Sequence, residues 1–205
     1  MSTGSGGTGS GGTGPAGSTD EEFREFMRGR WPAMVRLAYG LTGDLGHAED
    51  VAQAAFARAY ASWGRVTQAG DPDAYLRRIV VNENRRRFRR RRVTEELFGT
   101  LPDPGVADSA AGSDQRAALL AALARLGPRQ RAVIVLRFWM DLSEAETAHV
   151  MGCTVGTVKS QASRALATLR ADGTVRSLGF TDLRRAGDSG ADDFADADII
   201  EGGLR

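Results

Sequence analysis

An all-α fold in two small helical domains, joined by a flexible linker and carrying disordered termini, is predicted by three observations. Apolar residues recur at three- and four-residue spacings through two separate regions. No alternating strand pattern of useful length interrupts them. Gly, Ser, Thr, Pro and acidic residues gather between and outside those regions. The chain accordingly divides into a tail over 1–19, a first domain over 20–92, a linker over 93–114, a second domain over 115–172 and a second tail over 173–205.

The opening MSTGSGGTGSGGTGPAGST is a near-repeat of Gly, Ser and Thr, with no apolar area to offset its chain entropy. The first helix follows from Phe23, Phe26, Met27, Met34, Leu37, Ala38 and Leu41, and Thr42-Gly43-Asp44 ends it. A second helix opens near His47, carries Val51, Ala54, Ala55, Ala59 and Tyr60 on its apolar face, and is expected to end at Trp63-Gly64. Asp71-Pro72-Asp73 starts a third, because proline is well tolerated in a first turn that follows an acidic cap. Tyr75, Leu76, Ile79, Val80 and Phe88 mark the expected buried stripe of that helix. The punctuated segment PDPGVADSAAGS, Pro102 to Ser113, then separates the two regions.

From Gln115 the pattern resumes with Leu119, Leu120, Leu123 and Leu126 and stops at Gly127-Pro128. A helix over Arg129–Met140 is expected to bury Val133, Ile134, Leu136 and either Phe138 or Trp139. In the stretch Leu142 to Arg170, Ser143 followed by Glu146 forms a capping box, Gly152 stands where that helix must end, and Thr154 can cap the next. Val158, Ala162, Ala165, Leu166 and Leu169 share one face of this last helix and leave Thr157, Lys159, Ser160, Ser163 and Arg164 outward. Small Ala148 at the crossing, glycine in the turn and Val158 as the lock make a helix-turn-helix, whose outward residues suit a major groove. Plain helical packing is the bland alternative, and several coincident positions count against it.

The charge is partitioned in a way that the formal net of +1 conceals. Residues 20–92 hold fifteen arginines against ten acids, and 115–172 hold eight bases against four acids. The linker 93–114 holds five acids and no base, and 173–205 hold seven acids against four bases. Two basic modules with acidic connectors suit a polyanionic partner touched at two places, as nucleic acid would be. The sharpest concentration is NRRRFRRRR, Asn84 to Arg92, whose register continues the third helix. On that helix Arg78, Asn82, Arg85, Arg86 and Arg89 fall on one face. Arg89 to Arg92 read as its phosphate-binding end.

Other chemistry is disfavoured. One cysteine, Cys153, excludes an internal disulfide framework, and two distant histidines, His47 and His149, argue against a metal site. No cofactor is expected. GCTVGTVKS lacks the spacing of a phosphate loop, and no nucleophile with a base or paired carboxylates suggest catalysis. Neither a membrane-length apolar run nor a signal peptide is seen, so a cytoplasmic location is expected. Trp31, Trp63 and Trp139 read as core, His149 as exposed and Cys153 as a packed small residue.

GHAEDVAQAAFARAYASW, DPDAYLRRIVVNENRRRFRRRR and LGPRQRAVIVLRFWMDLSEAETAHVMGCTVGTVKSQASRALATLR, in that order and spacing, resemble an extracytoplasmic-function sigma factor of the sigma-70 family, and most closely its SigE-like subgroup. The resemblance covers about Glu22 to Arg170. It implies a promoter-specificity subunit with a sigma-2 domain, a sigma-4 domain and no domain between them. Its implied partners are core RNA polymerase, through the β′ clamp helices and the β flap, promoter DNA and, for many members, an anti-sigma protein. By motif position Glu49, Asp50, Gln53 and Arg58 would meet polymerase. Arg77, Arg78, Asn82, Arg85, Arg86 and Arg89 would open and read the −10 element. Thr157, Lys159, Ser160, Ser163 and Arg164 would read the −35 element. Thr147 stands where the family often has an aliphatic residue, and Gln161 where it often has Arg. The linker acids Glu95, Glu96, Asp103 and Asp108 could imitate nucleic acid near the polymerase active site. The rival is a helix-turn-helix regulator acting without polymerase, since similar C-terminal domains occur in response regulators.

Overall fold

The structure, a computed structural model, describes residues 16–68, 70–98 and 114–171, with side chains described at 19–68, 70–90 and 116–171. All regular structure among them is helical: α1 Ala16–Thr42, α2 Leu45–Tyr60, α3 Trp63–Gln68, α4 Pro72–Phe98, α5 Asp114–Ala124, α6 Pro128–Ile134, a π-helical turn Val135–Trp139, α7 Glu144–Met151 and α8 Val155–Ala171. Residues 1–15 of the glycine-rich tail, the acidic tail and the Pro102–Ser113 linker lie outside the described residues. Residues 16–19, expected in the tail, open α1, and 93–98, expected in the linker, continue α4.

Local chemistry sets most of these boundaries. Gly43, at φ +77°, turns the chain out of α1, and Asp44 then caps α2 by accepting from the His47 amide at 2.7 Å. Asp71 caps α4 by accepting from the Ala74 amide at 2.8 Å, with Pro72 at the first helical position. Arg30 of α1 grips Asp73 in the first turn of α4 through two hydrogen bonds of 2.6 and 3.0 Å. That carboxylate also sits where the helix dipole favours negative charge.

The first core is aromatic. Phe23, Phe26, Trp31, Phe56, Tyr60 and Trp63 meet with ring centroids 4.8 to 6.4 Å apart, so α1, α2 and α3 enclose one continuous apolar block. Trp63-Gly64 does not end the second helix as expected. The Ser62 hydroxyl donates to the Arg58 carbonyl at 3.0 Å, α2 stops at Tyr60, and Trp63 opens a separate short helix that turns its ring inward. The expected stripe of α4 also needs correction. Leu76 and Val80 are fully buried, but Tyr75 is 36% exposed, its hydroxyl 3.2 Å from that of Ser62, and Phe88 is 48% exposed on the wall of an open cleft.

In the second half α5 buries Leu119, Leu120 and Leu123, and the turn after it buries Leu126, as expected. The helix over 129–140 is not uniform. After Ile134 it widens into the π-helical turn, with the Met140 amide donating to the Val135 carbonyl at 2.9 Å. One extra residue in that turn carries Val135, Leu136 and Trp139 inward together and leaves Phe138 half-buried. This decides between the two aromatic candidates in favour of Trp139.

The two halves pack on each other. Gly40 of α1 lies against the π-helical turn so closely that a Cβ there would stand 3.0 and 3.3 Å from the Val135 methyls. Tyr39 meets Trp139 at 6.4 Å between centroids, and the Arg116 guanidinium lies 4.9 Å from the Tyr39 ring. Arg131 spans the joint. Its guanidinium donates to the Leu41 carbonyl of α1 at 2.9 Å and to the Leu123 and Ala124 carbonyls of α5 at 2.7 and 2.6 Å.

Thr147 is fully buried in α7, and its hydroxyl has no hydrogen-bond partner among the described residues. An unpaired buried hydroxyl costs free energy that an isosteric methyl does not. Thr147→Val should therefore stabilise the protein by about 1 kcal/mol, seen as a higher denaturant midpoint with an unchanged slope. An unchanged or lowered midpoint would show that the hydroxyl is satisfied.

Candidate nucleic-acid interfaces

The helix-turn-helix is built as its local sequence dictates. The Ser143 hydroxyl accepts from the Glu146 amide at 3.1 Å, and the Glu146 carboxylate accepts from the Ser143 amide at 2.7 Å. Gly152 ends α7 in the left-handed region at φ +62°, and Thr154 caps α8 by accepting from the Thr157 amide at 3.2 Å. Val158 is fully buried against Val133 and Ala148, which fixes the roll of α8. His149 is exposed, and Cys153 is half-buried beside that cluster.

Hydrogen bonding from Ser143, with Arg77 and Arg137 close by, holds the Glu146 carboxyl below its ordinary value of 4.5. A carboxyl lowered in the folded state stabilises the fold above its unfolded value and loses that contribution as pH falls through the folded value. The denaturant midpoint should thus fall on acidification below pH 4.5, and Glu146→Gln should flatten that part of the profile while lowering the neutral-pH midpoint. A Glu146→Gln profile parallel to the parent would refute this assignment.

On α8, Lys159, Ser160, Ser163 and Arg164 are exposed and Thr157 is half-buried. The Thr157 and Thr154 hydroxyls lie 3.0 Å apart, and the Ser160 hydroxyl donates to the Thr157 carbonyl at 3.0 Å. Lys159 reaches Glu144 at 3.6 Å. The five expected residues therefore form one small, polar, weakly basic face near the N-terminus of α8, where the free amides and dipole also favour phosphate.

The second basic surface is on α4. Arg78, Asn82, Arg85, Arg86 and Arg89 are exposed on one face, as expected from their register. Arg77 departs from them: it is half-buried, turned toward α7, and its Nε has no hydrogen-bond partner among the described residues. Side chains at 91 and 92, the far part of the expected phosphate-binding end, lie outside the described residues. Arg78 reaches the turn of the helix-turn-helix, with a guanidinium nitrogen 3.4 Å from where a Cβ on Gly152 would stand.

On α2, Asp50 and Gln53 are exposed and Glu49 is half-exposed. Arg58 is set apart from them. It lies about two turns along the helix, pairs with Glu83 of α4 at 2.9 Å, and lines the same cleft as Asn82, Arg85, Arg86 and Arg89. Asp50 accepts from Arg87 at 3.0 Å. Arg87, Glu83 and Arg129 were not among the expected functional residues. The pairings of the first two depend on where α2 lands on α4, which helical register alone does not disclose.

Residues 30–94 match the family model described as sigma-70 region 2, and residues 116–169 match the one described as sigma-70, region 4. The RNA polymerase sigma-E factor of Streptomyces antibioticus is 41% identical over 164 residues, which cover 80% of this chain and 91% of that protein. The chain belongs to the sigma-70 family. Within it, the relatives point to the extracytoplasmic-function class. The sigma-E factor of Streptomyces coelicolor is 39% identical over 80% of this chain and 93% of its own length. The class member SigL of Mycobacterium tuberculosis is 34% identical over 71% of this chain and 84% of its own length. A solved structure of the sigma factor RpoE of Bartonella quintana, in complex with the anti-sigma factor NepR, superposes with a TM-score of 0.66 at 25% identity. That match covers 78% of this chain and 99% of the other. With regions 2 and 4 both present, the protein is an RNA polymerase sigma factor, and a stand-alone helix-turn-helix regulator is not favoured.

Proposed function

We propose that this sigma factor brings core RNA polymerase to promoters by dividing the work between its two halves. Residues 20–92 bind polymerase and open and capture the −10 element, residues 115–172 read the −35 element, and 93–114 connect them. The observation that carries this reading is the α4 face, where the exposed amide of Asn82 stands among Arg78, Arg85, Arg86 and Arg89. Opening a duplex requires both trapping an unstacked base and holding the strand's phosphates. An amide among guanidinia supplies both.

Glu49, Asp50 and Gln53 are the proposed contacts to the β′ clamp helices, with Arg58 shared between that surface and the −10 strand. Thr157, Lys159, Ser160, Ser163 and Arg164 are the proposed −35 face, and the segment from α6 through the π-helical turn would help meet the β flap. The linker acids could act near the polymerase active site, and their neutralisation would then alter abortive initiation or promoter escape. The factor makes no covalent chemistry of its own and works in the cytoplasm. Among the described residues no helix is long and apolar enough to cross a membrane. The Bartonella quintana complex supports an anti-sigma protein as a further partner.

Transcription by core polymerase on a library of promoter fragments, with and without this protein, tests the reading. New, sequence-specific start sites are expected only when it is added. Tight DNA binding by the protein alone, without new transcripts, would overturn it.

A further inference from the structure

The α4 face does not look into open space. Between α4, the start of α6 and the middle of α8 lies a cleft of about 830 Å³. Five arginines line it, Arg58, Arg85, Arg86, Arg89 and Arg129, and no carboxylate is among its described lining residues. Glu83 behind it pairs with Arg58 and lies 3.7 Å from Arg86, leaving Arg85, Arg89 and Arg129 as its cations without a carboxylate among the cleft lining. Phe88, 48% exposed, is the one large apolar side chain among its described lining residues. Like charges gathered around one cavity raise a positive potential that draws an anion in. An open cleft of this size holds a few residues of an extended acidic strand at a time and is too small to admit a duplex.

The chain carries a segment of matching chemistry. Asp188, Asp192, Asp193, Asp196, Asp198 and Glu201 fall within fourteen residues that contain no base, together with Phe194, Ile199 and Ile200. Its reach is sufficient. Gln161, at the cleft, is about 15 Å along α8 from Ala171, and residues 172–187 at roughly 3.3 Å each reach about 50 Å. Tethering places the segment at an effective concentration of about 1 mM, so weak charge pairing suffices to occupy the cleft.

We propose that the segment Asp188–Glu201 docks in this arginine cleft and competes there with promoter DNA for the α4 face. The docking stands on charge and reach. Its consequence rests on the reading of α4 as the −10 surface.

A zero-length cross-link decides the docking without DNA. The chain has a single lysine, Lys159, which lies 3.6 Å from Glu144. Arg129→Lys in the full chain puts a second amine in the cleft, at a position outside the proposed DNA contacts. Carbodiimide then joins an amine to a nearby carboxylate with loss of water. Residues 186–205 leave trypsin as one peptide, because no Lys or Arg interrupts them before Arg205. The expected product links position 129 to that peptide within one molecule, survives dilution, and fades at high salt. Recovery of the Lys159–Glu144 link without it would overturn the proposal. So would a link from 129 to the linker acids instead, or a tail link found only between isotopically distinct copies.

The competition is tested by neutralising the six acids to Asn and Gln in the full chain. Affinity for a single-stranded −10 oligonucleotide should rise about tenfold at low salt, and the gap should close as salt is raised. Equal affinities would overturn the competition. Failure of both chains to bind any promoter strand would instead count against the reading of α4, and the cross-link would still decide the docking.

Discussion

Replacing Arg131 by methionine is expected to cost about 3 kcal/mol of stability, a large loss for a single side chain. Arg131 donates to three main-chain carbonyls, those of Leu41, Leu123 and Ala124. Two are at the C-terminal end of α5 and one is at that of α1, where four carbonyls of any helix lack partners within it. A cation is favoured at such ends by the helix dipole as well as by the hydrogen bonds themselves. Burial pushes the Arg131 guanidinium down from its ordinary value, which measures what it loses by leaving water. Guanidinium nonetheless stays charged in proteins, so the carbonyls retain a full cation.

Methionine fills much of the same space and removes the buried charge, yet it leaves the part-buried Leu41 and Leu123 carbonyls without a donor, while the exposed Ala124 carbonyl turns to water. Each unsatisfied buried acceptor costs on the order of 1 to 3 kcal/mol, partly offset by the charge no longer desolvated. Arg131→Lys should recover less than half, because one ammonium cannot present the guanidinium fork to three oxygens. Guanidinium chloride titration checks both variants. Because the side chain ties α1 to α5, the Arg131→Met transition should also broaden, as the two halves lose their common cooperativity. A loss under about 1 kcal/mol with an unchanged slope would refute the assigned role.

Arg131 also illustrates which parts of this molecule could be read from the chain alone. The Ser143–Glu146 box, the helix end at Gly152 and the Thr154 cap are all as expected, because each depends on residues within four positions of one another, and the inward Val158 follows from the register of α8. Asp71 and Pro72 opening α4 belong to the same class. What the chain did not disclose depends on contacts between distant segments. The π-helical turn at Val135–Trp139 is not a propensity of those residues; it is the register that lets Trp139 reach Tyr39 and Val135 reach Gly40. Phe88 continues the apolar period of α4, but it faces an open cleft toward α6 and α8 and stays 48% exposed. Arg77 and Arg78 are adjacent in sequence and meet different parts of the second half, because α4 packs against α7.

The candidate site divides in the same way. Which side chains share a face of α4 or α8 follows from helical register, and the structure places them so. That the α4 face looks across a cleft toward Arg129 and Gln161 depends on the packing of the halves, for which the sequence offers no local signal.

On α4, charge and base recognition should be separable by mutation, and the difference is expected to be large. Arg85→Gln combined with Arg89→Gln removes two cations from an exposed face and leaves the helix packing untouched, since neither side chain is buried. For a single strand each phosphate contact contributes roughly 0.7 to the slope of log affinity against log salt. Loss of two should therefore lower the slope by about 1.4, weaken binding of polymerase carrying this factor to −10 strands at low salt, and leave sequence preference unchanged. Asn82→Ala should behave in the opposite way. It removes a donor and acceptor able to meet a base edge, worth about 1 to 3 kcal/mol against the wrong base, with no change in salt slope. Anisotropy titrations of labelled −10 strands at several salt concentrations, each with the preferred and one mismatched sequence, measure both quantities. A changed preference in the double arginine variant, or a changed slope in Asn82→Ala, would refute the division. Arg86 is less suited to this test, because its guanidinium already lies 3.7 Å from Glu83, beside the Arg58–Glu83 pair, so its removal would also release Glu83 and shift Arg58.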